Sequence, residues 1–196
     1  MAKRSMSCEP VVALVMAAGY SRRFGAADKR LAPLCASTLL AQSVDSARRA
    51  FPVVRIAVRS DDTMEGFDER ELIRVKGARN GLGASIGEAF TQLARDPAFE
   101  GVEAAAVLLG DMPYLRLETL NTLCQQAAFD RIVVPFYREA PGHPVIFGRA
   151  FWAELAALCG GEGARAVLAA HAAHRYRMPV DDPGVHLDID RPEDLA

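Results

Sequence analysis

Apolar residues gather in short runs at residues 11–16, 53–58, 72–75, 105–109, 132–135 and 145–147, each of strand length. Between most of them the apolar positions recur at helical intervals. Residues 38–50 place Leu39, Leu40, Ser43, Val44 and Ala47 on one face. Residues 85–93 do the same with Ile86, Ala89, Phe90 and Leu93, and residues 117–128 with Leu120, Leu123, Cys124 and Ala127. Strands that are apolar throughout are buried on both sides. Their alternation with helices predicts an α/β fold with a mainly parallel sheet covered on both faces. Ligands of such sheets sit at the carboxyl ends of the strands, which directs attention to the loops after Met16, Val75 and Leu109. The last third is less regular: short helices at 151–158 and 163–170, a strand near 176–180 and a final turn at 192–195 are expected.

A chain of 196 residues, 51% hydrophobic and 24% charged, is expected to form one domain over residues 1–196, with residues 1–9 as a mobile terminus. The net charge of -2 gives no general attraction to nucleic acid or to an anionic membrane, so an anionic ligand needs a local positive cluster. The apolar run at 11–18 is too short to span a bilayer and leads into Gly19 and two arginines rather than a small-residue cleavage site. Cys8, Cys35, Cys124 and Cys159 have no C-x-x-C spacing, which argues against a zinc site or a disulfide framework and fits a reducing cytoplasm.

The local cluster is the loop after the first strand. Gly19 and Gly25 let backbone amides approach an anion, and Arg22, Arg23, Lys29 and Arg30 against the single Asp28 give four positive charges to one negative, a net +3. It is not a Walker A loop, because five residues separate the glycines and no Ser or Thr follows the lysine. It is not a dinucleotide loop either, since G-x-G-x-x-G is absent. A basic loop that is merely solvated remains the plain alternative.

Asp111 follows an apolar strand and Gly110, so its carboxylate is expected at a strand end, where it serves either as a Mg²⁺ ligand or as a turn former. Asp188 and Asp190 are two apart and share a side of an extended segment; one can reach a metal while Asp190 caps the final turn. Asn80, Gly81 and Ser85 lie where a strand gives way to a helix at the same sheet edge. His143, in Gly142-His143-Pro144, is either a proton carrier or a structural loop residue. His171 and His174 lack a third ligand nearby.

The segment Leu14-Val15-Met16-Ala17-Ala18-Gly19-Tyr20-Ser21-Arg22-Arg23-Phe24-Gly25, with Lys29 and Pro33-Leu34 behind it, resembles the signature of the MobA-like nucleotidyltransferases. Gly110-Asp111-Met112-Pro113, Gly142-His143-Pro144-Val145, Gly163-Ala164-Arg165 and the closing 187–195 segment are similar to later motifs of that family, in the same order. The resemblance implies a Rossmann-like three-layer α/β/α sandwich of the nucleotide-diphospho-sugar transferase type. Ala-Ala-Gly-x-Ser-x-Arg-Phe is most like the molybdenum cofactor cytidylyltransferases, since the guanylyltransferases carry a second glycine where Ala18 stands. That implies transfer of CMP from CTP to molybdopterin with release of pyrophosphate, Mg²⁺ as cofactor, and a molybdoenzyme of the xanthine dehydrogenase type, or its chaperone, as a further partner. The chain departs from the family pattern at Gly161, where an aspartate is usual, at Arg191, and at Ala140-Pro141.

The resemblance further implies that Ala17, Ala18, Gly19, Ser21, Arg22, Arg23, Lys29, Asn80, Gly81 and Ser85 bind nucleotide. Asp111, Asp188 and Asp190 would bind metal, and Gly142, His143 and Arg165 the acceptor. Arg23, Lys29 and Asp111 would carry catalysis. Other readings stay open: another nucleotide or acceptor, such as GTP with molybdopterin or a sugar or polyol phosphate, or a non-catalytic module that delivers cofactor.

Overall fold

The computed structural model describes residues 11–21, 24 and 28–195. Arg22, Arg23 and Gly25 of the basic loop, and the expected mobile terminus at 1–9, lie outside the described residues. In chain order the elements are β1 (Val11–Met16), β2 (Pro33–Leu34), β3 (Ser37–Thr38), α1 (Leu39–Ala50), β4 (Val53–Arg59), β5 (Leu72–Val75), α2 (Leu82–Arg95), β6 (Ala104–Leu109), α3 (Leu117–Gln125), β7 (Ile132–Tyr137), β8 (Ala140–Pro141), β9 (Val145–Gly148), α4 (Trp152–Ala156), α5 (Arg165–Ala170) and β10 (Arg175–Pro179). The main sheet runs β10-β7-β9-β6-β1-β4-β5, with β8 attached to β7. Central β1 is parallel to β4 and β6, β5 is parallel to β4, and β10 to β7. Within this sheet, among the described residues, only β9 and β8 run against their neighbours, while β2 and β3 form a separate antiparallel pair.

The two faces of β1 show why the chain makes three layers. All six of its residues are buried. Val11, Ala13 and Val15 pack with Leu40, Val44 and Ala47 of α1 and Leu120 and Leu123 of α3. Val12, Leu14 and Met16 point the other way, into a core built from Ile86, Phe90 and Leu93 of α2, Trp152 and Leu155 of α4 and Val167 of α5. Each fully buried side chain of this kind contributes about 1.5–3 kcal/mol. No helix among the described residues is long and apolar enough to cross a membrane.

The helix ends locate the loops that matter. Thr38 Oγ1 accepts the Ala41 N–H at 3.3 Å and starts α1, which stops at Phe51, before Pro52. Helix α2 starts at Leu82, earlier than the periodicity from Ser85 suggests, because Gly81 at φ 107° turns the chain into it. Helix α3 has no side-chain cap of its own. Instead buried Asp182, sixty-six residues on, accepts the Arg116 N–H at 3.0 Å and the Thr119 hydroxyl at 2.7 Å. The closing segment is thereby pinned to the sheet: Ile189 donates to the Asp111 carbonyl at 3.0 Å, which brings Asp188 and Asp190 alongside Asp111.

Candidate active site

The carboxyl ends of β1, β5 and β6 converge on one edge, and the side chains that follow them meet there. Gly110 allows the turn out of β6: a Cβ at this position would stand 3.0 Å from Leu40 Cδ1 and 3.1 Å from the Met16 carbonyl. Asp111, next along, receives the ammonium of Lys29 at 2.8 Å on Oδ2. Lys29 also reaches Asp190 Oδ1 at 3.2 Å, joining residues 161 positions apart. Among the described residues, Asp111, Asp188 and Asp190 each offer an oxygen, all within 4.8 Å of one another.

These residues fit a hard divalent cation. The donors are carboxylate oxygens, and Asp111 Oδ1 is buried with no hydrogen-bond partner among the described residues. Among the described residues, no backbone N–H of the final turn donates to the Asp190 side chain. The Asp194 carboxylate accepts the Asp190 and Arg191 N–H groups at 2.9 and 2.8 Å, leaving the Asp190 side chain turned to Lys29.

Two cavities flank the cluster. One of about 320 Å³ is lined by Ala17, Gly19, Ser21, Lys29, Asp111 and Asp190. The other, of about 530 Å³, touches Ala18, Gly19, Asn80, Gly81, Ser85 and Asp188. Tyr20 stands at its rim with the guanidinium of Arg59 4.9 Å and that of Arg79 5.4 Å from its ring centre. A third cavity of about 400 Å³ holds Gly142, His143 and Arg165 and shares Leu82 and Leu109 with the second. Burial holds the His143 imidazole below its ordinary 6.5, against a hydrogen bond to the Val107 backbone and the fields of Asp111 and Asp188, while Arg165 pushes the same way as burial. Burial thus favours the neutral imidazole. Gly142 is shaped by contact, since a Cβ there would meet the Val185 carbonyl at 2.5 Å.

The charge of Arg30 is committed within the protein. Its guanidinium is taken up by Asp28 at 2.6 Å, by Asp62 at 3.0 Å and by the Ala17 carbonyl at 3.0 Å. Arg59 extends the network, reaching Asp62 Oδ1 at 2.8 Å and the Gly19 carbonyl at 3.3 Å. Arg30 and Arg59 thus hold the carbonyls of Ala17 and Gly19, where the loop leaves β1. Reading the loop alone missed Asp62 and Arg59; the signal for them was a carboxylate pair, Asp61-Asp62, just past the end of a buried strand. His171 and His174 serve structure, with His171 Nε2 2.8 Å from Glu154 and His174 Nδ1 3.0 Å from the Asp130 carbonyl.

Residues 13–175 match the model of the MobA-like NTP transferase domain. A curated relative, the bifunctional protein GlmU of Synechococcus sp. (strain CC9902), is 28% identical over 145 residues, covering 70% of this chain. The chain spans 31% of the length of that protein. Among solved structures, the homolog of Mycobacterium tuberculosis Rv0371c from Mycobacterium sp. strain JC1 is 27% identical with a TM-score of 0.72, over 94% of this chain and 92% of that one. Rv0371c from M. tuberculosis in complex with manganese has a TM-score of 0.68 at 23% identity, over 87% and 88% of the two chains.

Proposed function

The chain belongs to the MobA-like NTP transferase family and is a nucleotidyltransferase, and from that premise we propose that it transfers CMP from CTP to the phosphate of molybdopterin, releasing pyrophosphate. One observation carries the reading. The cavity holding Asn80, Gly81 and Ser85 and the cavity holding the acceptor candidates share Leu82 and Leu109, and the first of them is lined by Asp111, Asp188 and Asp190 as well. Two substrates placed in them would meet beside the acidic cluster.

The reaction needs no protein nucleophile. An oxygen of the acceptor phosphate attacks the α-phosphorus of CTP, the bond from that phosphorus to the β-phosphate oxygen breaks, and pyrophosphate departs. Asp111, Asp188 and Asp190 would hold Mg²⁺, which when bound neutralises charge on the phosphate oxygens. Lys29, with Arg23, stabilises the charge that develops on the triphosphate. Backbone amides at Ala17 to Gly19 and the Ser21 side chain cradle the phosphates. Asn80, Gly81 and Ser85 hold base and sugar. Arg165 pairs with the acceptor phosphate, and neutral His143 orients it. Catalysis on this account is positioning and preorganised charge. The manganese bound to a structural neighbour supports the divalent-metal reading.

The test is pyrophosphate release by the purified protein with Mg²⁺ and CTP, GTP or ATP, each with and without molybdenum-charged molybdopterin. Release with CTP that depends on the acceptor is expected. A preference for GTP would move the reading to guanylyl transfer, and release only with a sugar phosphate would replace the acceptor.

A further inference from the structure

Lys29 is a buried cation inside an acidic cluster. Its side chain is 8% exposed, and its ammonium lies 2.8 Å from Asp111 Oδ2 and 3.2 Å from Asp190 Oδ1. Those same carboxylates, with Asp188, present the oxygens that converge within 4.8 Å. A lysine ammonium and a divalent cation therefore compete for one set of donors.

The backbone around Lys29 is held on both sides. Asp28 accepts the Arg30 N–H at 3.0 Å and its Nε at 2.9 Å, and Arg30 is in turn held by Asp62. With Asp28 and Arg30 bonded in this way, the ammonium moves by rotating its own four-carbon stem. The cavity of about 320 Å³ that Lys29 shares with Gly19 and Ser21 gives it somewhere to turn.

We propose that Lys29 is a tethered counter-cation, paired with Asp111 and Asp190 until a divalent metal displaces its ammonium, which then turns into the cavity beside Gly19 and Ser21 to meet the triphosphate. This rests on the metal and nucleotide reading given above. Asp111, Asp188 and Asp190 gather carboxylate oxygens around one ammonium, a hard donor set that draws in a divalent ion. Once that ion is present, the ammonium loses its partners and faces a like charge. A buried lysine without a partner is costly, so metal alone binds weakly. The oxygens of a triphosphate supply the missing partner, and metal and nucleotide strengthen each other's binding reciprocally.

The experiment follows Mn²⁺ binding without nucleotide, by the electron paramagnetic resonance of the free ion, for the wild-type chain, Lys29→Met and Asp111→Asn. In parallel, acylation of Lys29 by acetic anhydride is measured by mass spectrometry in the wild-type chain with and without saturating Mg²⁺, so the answer does not depend on the folding of a variant. Lys29→Met is expected to bind Mn²⁺ roughly 10-fold more tightly than wild type. Mg²⁺ alone is expected to raise acylation of Lys29. If Asp111→Asn loses Mn²⁺ while a folded Lys29→Met gains nothing, or if Mg²⁺ leaves the acylation unchanged, the displacement is overturned and the metal site stands. If wild type and Asp111→Asn bind Mn²⁺ alike, the metal site falls and the displacement with it.

Discussion

Arg30 and Asp62, thirty-two residues apart, are joined by two hydrogen bonds, Nη1 to Oδ2 at 2.5 Å and Nη2 to Oδ1 at 3.0 Å, with side chains 9% and 7% exposed. The pair ties the basic loop to the end of β4. Leaving a buried charge wholly unpaired costs about 3–5 kcal/mol, but Arg59 stays bonded to Asp62 when Arg30 is removed, which keeps the loss below that range. Arg30→Met should therefore lower the unfolding free energy by about 1–3 kcal/mol in urea denaturation. A loss no larger than that of an ordinary surface substitution, about 0.5 kcal/mol, would contradict the role assigned to the pair.

The same network sets an acid dependence. The hydrogen bond from Arg30 holds the Asp28 carboxyl below the ordinary 3.8, against burial. For Asp62, burial pushes upward, but hydrogen bonds from Arg30 and Arg59 outweigh it and the carboxyl again lies below 3.8. A carboxylate whose folded-state pKa is lowered adds stability that is present above its unfolded pKa and lost as pH falls through the folded one. The stability gap between wild type and Arg30→Met should narrow as pH drops below about 4. Parallel curves between pH 6 and pH 3 would contradict it.

Asp182 is 1% exposed and accepts from the Arg116 N–H, the Thr119 hydroxyl and the Gly184 N–H, the last at 2.8 Å. Asp182→Ala strands three donors, and each buried group left unsatisfied costs about 1–3 kcal/mol. The variant should be markedly destabilised, and hydrogen exchange should quicken at Ile189, whose N–H reaches the Asp111 carbonyl from the closing segment. Unchanged exchange at Ile189 would separate Asp182 from the placement of Asp188 and Asp190.

Two glycines near the end of α4 and the segment after it, Gly87 and Gly161, should differ sharply. A Cβ on Gly87 would meet the Leu158 carbonyl oxygen at 2.1 Å, so Gly87→Ala should cost about 1–3 kcal/mol. Gly161, by contrast, is exposed, and a Cβ there would find nothing nearer than the Asn80 carbonyl oxygen at 3.9 Å. Gly161→Asp should fold with stability within about 0.5 kcal/mol of wild type and change the KM for the acceptor while leaving that for the nucleotide. Equal stability losses in the two variants would contradict the packing at Gly87 and the open space at Gly161.

What could be read in the sequence was local or periodic. The apolar runs of β1, β4 and β6 and the amphipathic faces of α1 to α3 name their own elements, and Asp111 announces itself by following a buried strand. Strand direction was not readable. Val145–Gly148 is as apolar as its neighbours, and it runs antiparallel because a tight turn through Arg138 and Glu139, both at positive φ, sends the chain back through β8. That turn carries no Asn-Gly or Asp-Gly signal to mark it. Charge was readable as a count but not as a role, because the partners that commit Arg30 include Asp62 across thirty-two residues. The cap of α3 escaped for the same reason, being supplied by Asp182.

The central claim is transfer of a nucleotide to an acceptor phosphate, and following the label from α-³²P-CTP tests it most directly. With Mg²⁺ and molybdenum-charged molybdopterin, the label is expected in a cytidine dinucleotide form of the cofactor, one per pyrophosphate released. Asp111→Asn and Lys29→Ala should each lower the rate by about 10²–10³. Label that remains in CTP or appears only as free CMP, or transfer that is unimpaired in both variants, would contradict the account.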